Sequence, residues 1–600
     1  MDESRIHSAG CFLLSSQCTF VARLLGFWRL ARVDLCRLIS LKEPSVSLRR
    51  WYSIVLPAVI AASIMVSRAN ALEPGGGDVH CHVLPAHELS AAEKALLDGN
   101  ASQAESLYRE ALGKSPHEGA LTAGLVRTLL RQQKVQDAAS VISAELALAP
   151  NSVPLLAASA EVQYREGKIA EAFTTVNQAF KIDPCNPRLY LISARIFRLN
   201  SMYASERRDI ATAHALDPSD MDIRRIWSVT LPLSQRIDQQ KQFLASANGM
   251  DAEERSRAEK VLSNLTRWAS ESGTTCHVAS NTTSTELPFV PIMSGGNSSH
   301  IQSWGLHVAF NGTQTVLGVD TGASGLIINR AIAERAGLKP LGRVQLGGVG
   351  DQAPQGGYIA HVDSIRIGTL EFRDCTAEVT DRKDILTMDG LIGTDVFSNY
   401  LITLDFPMRK FLLSQLPPRP SDTAGTAGTT LTTEAGDQGA GTSGATGAPT
   451  QPQDRYISPT MKDYVGFFRV GHDILVPTRL NGKTERLFLV DTGAFSSSIS
   501  PETAHEVTKV HGNAPGAIRG LSGDVAKVSF SEAVLFQFGG IQQQNNDLYS
   551  FDTSNLSRGA GVEISGFLGS TVLRQLTISI DYRDGLIKFD YDPRHGNHNF

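Results

Sequence analysis

The chain has 600 residues, with 56 basic and 61 acidic side chains, a net charge of −5 and 42% hydrophobic residues. That length exceeds what one hydrophobic core supports and predicts several domains of ordinary soluble composition. The near balance of charge, with no basic run interleaved with aromatics, excludes a surface built for nucleic acid.

Arg49 and Arg50 precede a 16-residue uncharged stretch, Trp51 to Val66, which leads to Ala69-Asn70-Ala71. A charged start, an apolar middle and a small-x-small exit form a signal-peptide pattern. Residues 1–71 are therefore read as a leader that exports the chain to the periplasm or the extracellular space. The alternative is a signal anchor, because 51–66 lies at the short edge of a membrane-spanning helix; a membrane is a partner only if this segment stays uncleaved. The 50 residues ahead of the apolar stretch exceed what a signal peptide needs. Beyond the leader, Cys81, Cys185, Cys276 and Cys375 are widely scattered, with no CxxC or other metal-ligand spacing. In an exported chain they allow two disulfides, with the pairing left open by spacing alone. The tract "DVHCHVLPAH", with His80, Cys81, His82 and His87, reads as a mobile polar leader rather than a metal site.

Residues 88–272 are rich in Ala, Leu, Glu and Gln, and Pro116, Pro150, Pro184 and Pro218 recur through them at a spacing of 34 residues. The same period carries Tyr108, Ile142, Val176 and Ile210, then Ala104, Ala138 and Ala172, then Ala111, Ala179 and Ala213, with Gly99 and Gly167 at turns. Small residues let paired helices approach, glycine permits the turn, and each unit leaves an apolar face for its neighbour to cover. The pattern resembles the tetratricopeptide repeat. It departs at Glu145 and Glu206, where alanine is expected, and at Gln133 and Ser201, where the turn glycine is expected. Such an array implies a surface for a protein partner or a polypeptide; the alternative is a spacer.

After Ser272 the pattern changes to short alternating apolar runs with Gly-rich turns, which predicts an all-β region. Residues 416–455 form a Gly/Thr/Ala/Pro-rich linker with little to bury. It separates 285–415 from 456–594, and these two segments are copies. "VLGVDTGASGLIIN" in the first answers "LFLVDTGAFSSSIS" in the second, and "DGLIGTDVF" answers "SGFLGSTVL". From Asp320 to Gly393 is 73 residues and from Asp491 to Gly569 is 78, so the spacing holds to within a few loop residues.

An apolar strand, Asp-Thr-Gly-Ala, another apolar strand and a later apolar-apolar-Gly triplet resemble the aspartic peptidases, with the DTGA form closest to the retroviral type. Two copies resemble the two lobes of one pseudo-dimeric enzyme. The implied architecture is a multidomain chain: an α-helical tetratricopeptide solenoid followed by an all-β bilobal aspartic-peptidase fold of the double-psi, acid-protease-like kind. The implied activity is that of an aspartic endopeptidase acting on extended polypeptide, with no metal and no organic cofactor. Asp320 and Asp491 are the expected catalytic pair. Two carboxylates about 3 Å apart cannot both ionise, so one residue type supplies both base and acid.

Thr321 and Thr492 are expected to cross-bond at the lobe interface, and Gly322 and Gly493 to turn the backbone and present N–H groups to the carboxylates. Leu391-Ile392-Gly393 and Phe567-Leu568-Gly569 are expected to floor the site. Gly347 and Gly348 in one copy, and Gly520 and Gly523 in the other, stand where flaps are expected. Asp395, Asp405 and Asp581 are read as structural. Ala323 and Ala494 replace the Ser or Thr usual in pepsin-like enzymes, and the loss of that hydroxyl predicts an activity optimum less acidic than a pepsin's. Two rival arrangements stand beside this one: a scaffold built on the repeats with a retired peptidase module, and lobes that pair between two chains instead of within one.

Overall fold

The computed structural model describes residues 81–84, 89–246, 252–271, 276–293, 301–352, 355–380, 388–420, 453–512 and 518–594. The leader and its apolar stretch 51–66 lie outside these residues, as does most of the linker. No helix among the described residues is long and apolar enough to cross a membrane.

The N-terminal region is a stack of helices: α1 (Ala91–Leu97), α2 (Ala101–Lys114), α3 (Gly119–Arg131), α4 (Val135–Leu148), α5 (Val153–Arg165), α6 (Ile169–Phe180), α7 (Pro187–Leu199), α8 (Tyr203–Leu216), α9 (Met221–Val229), α10 (Leu233–Ser246) and α11 (Ala252–Glu271). Ser90 starts the first of them through a capping box with Glu93, each satisfying a backbone N–H of the other. The periodic alanines Ala104, Ala138 and Ala172 are fully buried where helices cross, and Tyr108, Ile142, Val176 and Ile210 fill the core beside them. The Tyr108 ring occupies the space that a Cβ on Gly124 would need. Gln133 and Ser201 adopt φ of +63° and +56° at the turns where glycine was expected. Glu206, buried where alanine was expected, accepts a 2.7 Å bond from Arg198.

Of the polar tract, His80 and His87 lie outside the described residues, while Cys81 and Leu84 are tied to the repeats and are not the mobile leader that composition suggested. Cys81 forms a disulfide with Cys185 in the turn before α7, and Leu84 N–H donates to the Leu216 carbonyl at the end of α8. A covalent tie between distant positions is invisible to local composition.

Both β segments build the same unit. In the first, the strand Thr313–Asp320 pairs antiparallel with Ile301–Phe310 and parallel with Gly390–Gly393, which in turn pairs antiparallel with Leu326–Asn329. In the second, Thr484–Val490 pairs antiparallel with Asp473–Leu480 and parallel with Gly566–Leu568, which pairs antiparallel with Ser498–Ile499. A disulfide between Cys276 and Cys375 ties the start of the first unit to its long hairpin.

The lobes join through one six-stranded antiparallel sheet. At its centre Tyr400–Asp405 of the first pairs with Thr577–Asp581 of the second, Ile402 opposite Ile580 and Leu404 opposite Ile578. One buried cluster runs across this seam, from Phe289 and Trp304 to Tyr582 and Phe589. The two lobes of the chain close on each other through this sheet. Both ends of the linker are pinned to a single buried turn: Arg419 ion-pairs with Asp584, and Tyr456 N–H donates to the same carboxylate at 2.8 Å.

The two lobes differ in what covers the second face of their sheets. Ile474, Val476, Phe488 and Val490 enter the inter-lobe core, while their neighbours Leu475, Leu487 and Leu489 join a cluster with residues of α5, α6 and α7. A Cβ on Gly167, at the α5–α6 turn, would lie 3.3 Å from Leu487 Cγ, and Glu563 N–H donates to the Arg165 carbonyl at 2.9 Å. At the α7–α8 turn Ser201 is fully buried against Gly585, and Ser205 Oγ donates to Asp454 at 2.8 Å. The helical array is thus bonded to lobe 2 by its turn edge, and this face is not free for a partner.

Candidate active site

Asp320 ends one inner strand and Asp491 follows its counterpart, each beside the triplet of its own lobe: Gly393 is in register with Asp320, and Asp491 N–H donates to the Leu568 carbonyl at 3.0 Å. Ile392 and Leu568 are buried in the inter-lobe core, Phe567 is buried instead in the cluster shared with α5, α6 and α7, and Leu391 is half-buried. The triplets end in glycine for a steric reason. A Cβ on Gly393 would fall 2.9 Å from Gly325 N, and one on Gly569 would fall 2.7 Å from Ser497 N, so only hydrogen lets loop and floor backbones meet.

Four hydrogen bonds lock the two loops together. Thr321 N–H donates to Thr492 Oγ1 and Thr492 N–H to Thr321 Oγ1, both at 3.0 Å. Each hydroxyl then donates across the interface, Thr321 to the Val490 carbonyl at 2.6 Å and Thr492 to the Val319 carbonyl at 3.0 Å. The cross-bonding expected of these threonines is present, and it brings the two aspartates face to face. A Cβ on Gly322 would meet Asp491 Cγ at 2.9 Å, and one on Gly493 would meet Asp320 Cγ at 2.7 Å. Each glycine is therefore required by the carboxylate of the other lobe.

The two carboxyls face each other but differ in surroundings, Asp320 being buried and Asp491 half-buried. Gly322 N–H donates to Asp320 at 2.8 Å, whereas Asp491 Oδ1 accepts from both Gly493 N–H at 2.8 Å and Ala494 N–H at 2.9 Å. Burial raises both groups above the ordinary carboxylate range, and the charge of Asp491 raises Asp320 further. Backbone N–H groups of both loops face the pair, and burial with mutual repulsion favours one proton held between the two carboxyls. Their titration belongs to the pair.

Ala323 is buried and Ala494 half-buried at the ends of the loops; neither supplies a hydroxyl, though the Ala494 backbone serves Asp491. The flap glycines come together as well. Gly347 and Gly348 lie at the tip of the hairpin formed by Lys339–Leu346 and Gln355–Ile367, and Gly520 and Gly523 pair in the short hairpin of lobe 2. The tips meet: Gly348 N–H donates to Ser522 Oγ at 3.1 Å, and Ser522 N–H to the Val349 carbonyl at 2.9 Å. A Cβ on Gly520 would strike the Val349 backbone.

Of the three further acids, Asp395 holds the loop after Asp320, accepting from Gly325 N–H at 2.9 Å and Ser324 Oγ at 3.3 Å. Asp405 caps a turn by accepting from Met408 N–H at 3.1 Å, and Asp581 is fully buried beside Asp584. His472 was missed by sequence reasoning. Its Nε2 lies 3.3 Å from the Gly322 carbonyl and 3.2 Å from Asp473 Oδ1, so lobe 2 braces the loop of lobe 1. Ser570 was missed too, although it directly follows the second triplet; its Oγ donates to the Thr492 carbonyl at 2.6 Å. The position after each triplet was the available signal for Ser570, whereas His472 sits in a turn with no motif around it.

The family model described as aspartyl protease matches residues 306–396 and again residues 476–572, and a tetratricopeptide repeat model matches residues 95–158. No curated protein matches the chain. Among solved structures it is similar to a thermophilic TPR protein from Thermus thermophilus, at 19% identity over 28% of this chain and 95% of that one, with a TM-score of 0.24. The chain thus carries a segment that matches tetratricopeptide repeats ahead of two segments that each match the same aspartyl protease model.

Proposed function

We propose that the protein is an aspartic endopeptidase that hydrolyses peptide bonds of extended polypeptide at Asp320 and Asp491. The observation that carries this reading is the threonine-locked pair of loops that sets the carboxyls of Asp320 and Asp491 face to face, each against the glycine of the other lobe. A water held between them loses a proton to Asp491 as its oxygen attacks the scissile carbonyl carbon, while Asp320 gives its proton to the carbonyl oxygen. The tetrahedral diol then collapses: the C–N bond breaks, the nitrogen takes the proton from Asp491, and a diol hydroxyl returns one to Asp320. No acyl-enzyme forms. The closed flap tips support a cleft that opens to admit substrate and then excludes water.

The two disulfides support a place outside the reducing cytosol, in the periplasm or extracellular space. The repeats anchor lobe 2 and recruit substrate or a protein partner on the faces that lobe 2 leaves uncovered.

The test is hydrolysis of an unstructured protein by wild type, Asp320→Asn and Asp491→Asn, with the pH profile of the wild type. Wild type is expected to cut, with an optimum well above pH 2, and each variant to lose activity by about a thousandfold or more. Full activity in either variant, or an inert wild type, refutes the reading; the inert wild type favours a scaffold.

A further inference from the structure

The two catalytic loops are alike through Asp-Thr-Gly-Ala and then part: the next residue is Ser324 in lobe 1 and Phe495 in lobe 2. Ser324 turns toward Asp395, in a polar corner that also contains His472 and Asp473. Phe495 is 72% exposed, the most exposed large hydrophobic side chain among the described residues. Its position is not left to chance. Its carbonyl accepts from Thr571 N–H at 3.1 Å and Thr571 Oγ1 at 2.8 Å, just past the floor triplet of its lobe. On its other side, Ala494 N–H is bonded to Asp491.

An isolated exposed apolar side chain needs no explanation. This one is an aromatic ring four residues from a paired carboxylate, on a backbone fixed at both sides, and it joins no apolar cluster among the described residues. We infer that Phe495 is a specificity-determining residue: its ring contacts an apolar side chain of the polypeptide on the lobe 2 side of the scissile bond. At the matching place lobe 1 offers only the polar Ser324, tied to Asp395. A cleft built from near-copies thereby reads its substrate in one direction. The inference rests on the peptidase reading of the dyad, and goes beyond it by naming the side-chain class selected and the group that selects it.

The test uses fluorogenic peptides on one scaffold, in which Leu, Phe, Ser, Lys or Asp is placed in turn at each position flanking the cut. Wild type is expected to prefer the apolar residues at a position on one side of the bond by about tenfold to 200-fold in kcat/KM, the range that hydrophobic contact supplies. Phe495→Ser is expected to bring that ratio within about threefold, and Phe495→Leu to keep most of it. Unchanged preference in Phe495→Ser overturns the inference while leaving the peptidase reading intact, as does a wild type that cuts all the peptides alike. A wild type that cuts none of them, nor an unstructured protein, overturns the peptidase reading itself. Equal thermal unfolding midpoints for the three proteins exclude misfolding as the cause.

Discussion

Replacing Thr492 by valine tests the lock between the lobes separately from the chemistry. The change keeps the volume, so it opens no cavity, but it removes the acceptor for Thr321 N–H and the donor to the Val319 carbonyl, both at 3.0 Å. Thr321 is fully buried and Thr492 6% exposed, so water does not readily replace the lost partners. Each stranded buried group costs about 1–3 kcal/mol, so Thr492→Val is expected to destabilise by about 2–6 kcal/mol. Thr492→Ser keeps the hydroxyl and loses one methyl, which costs about 1 kcal/mol. The assay is the urea midpoint, followed by fluorescence to which the buried Trp304 contributes. The reasoning fails if Thr492→Val lies within about 0.5 kcal/mol of wild type, or if the serine variant costs as much as the valine one.

Asp581 gives a pH-dependent expectation. Burial, with the nearby charge of Asp584, raises its carboxyl from 3.8 to about 6. The folded state thus holds a proton that the unfolded state gives up, and the chain loses stability as pH rises from about 4 to 6, by up to roughly 3 kcal/mol. Below pH 4 both states are protonated and the difference vanishes. Asp581→Asn should flatten that slope; an unchanged slope in unfolding measured across this range argues against the assignment. At the interface with the repeats, Leu487→Lys places a charge in a buried apolar contact and should cost about 3 kcal/mol or more. Val316→Lys, at the half-buried equivalent in lobe 1, should cost about 1 kcal/mol or less, and equal costs in thermal unfolding would contradict the packing described.

Much of the site was readable in the chain because its demands are local. Asp320 and Asp491 stand out through the glycines, threonines and apolar triplets around them, and each of those residue types answers a steric or hydrogen-bonding requirement within a few residues. The duplication supplied the pairing. Asp395 was read as structural and holds a loop, but which loop was not legible, because its partners Gly325 and Ser324 lie about 70 residues away in sequence. The repeats were placed by their period, yet the role assigned to their surface changed once Leu487 and Leu489 proved to pack on them. A hint was present: the strand entering Asp491 reads "LFLV", apolar on both faces, while its counterpart reads "VLGV".

By itself, then, the sequence determined the helical repeat, the doubled β-lobe and the identity of the carboxyl pair, since periodicity, backbone permissiveness and buried charge follow from residue type and spacing. Only the tertiary structure decided the rest. Cys81 found Cys185, and the lobes closed through the pairing of Ile402 with Ile580 inside one chain. The two carboxyls came face to face because each loop's threonine bonds the backbone of the other loop. Phe495 was left exposed where Ser324 is tied down. Each of these depends on which groups approach across space, and distance along the chain carries no record of that.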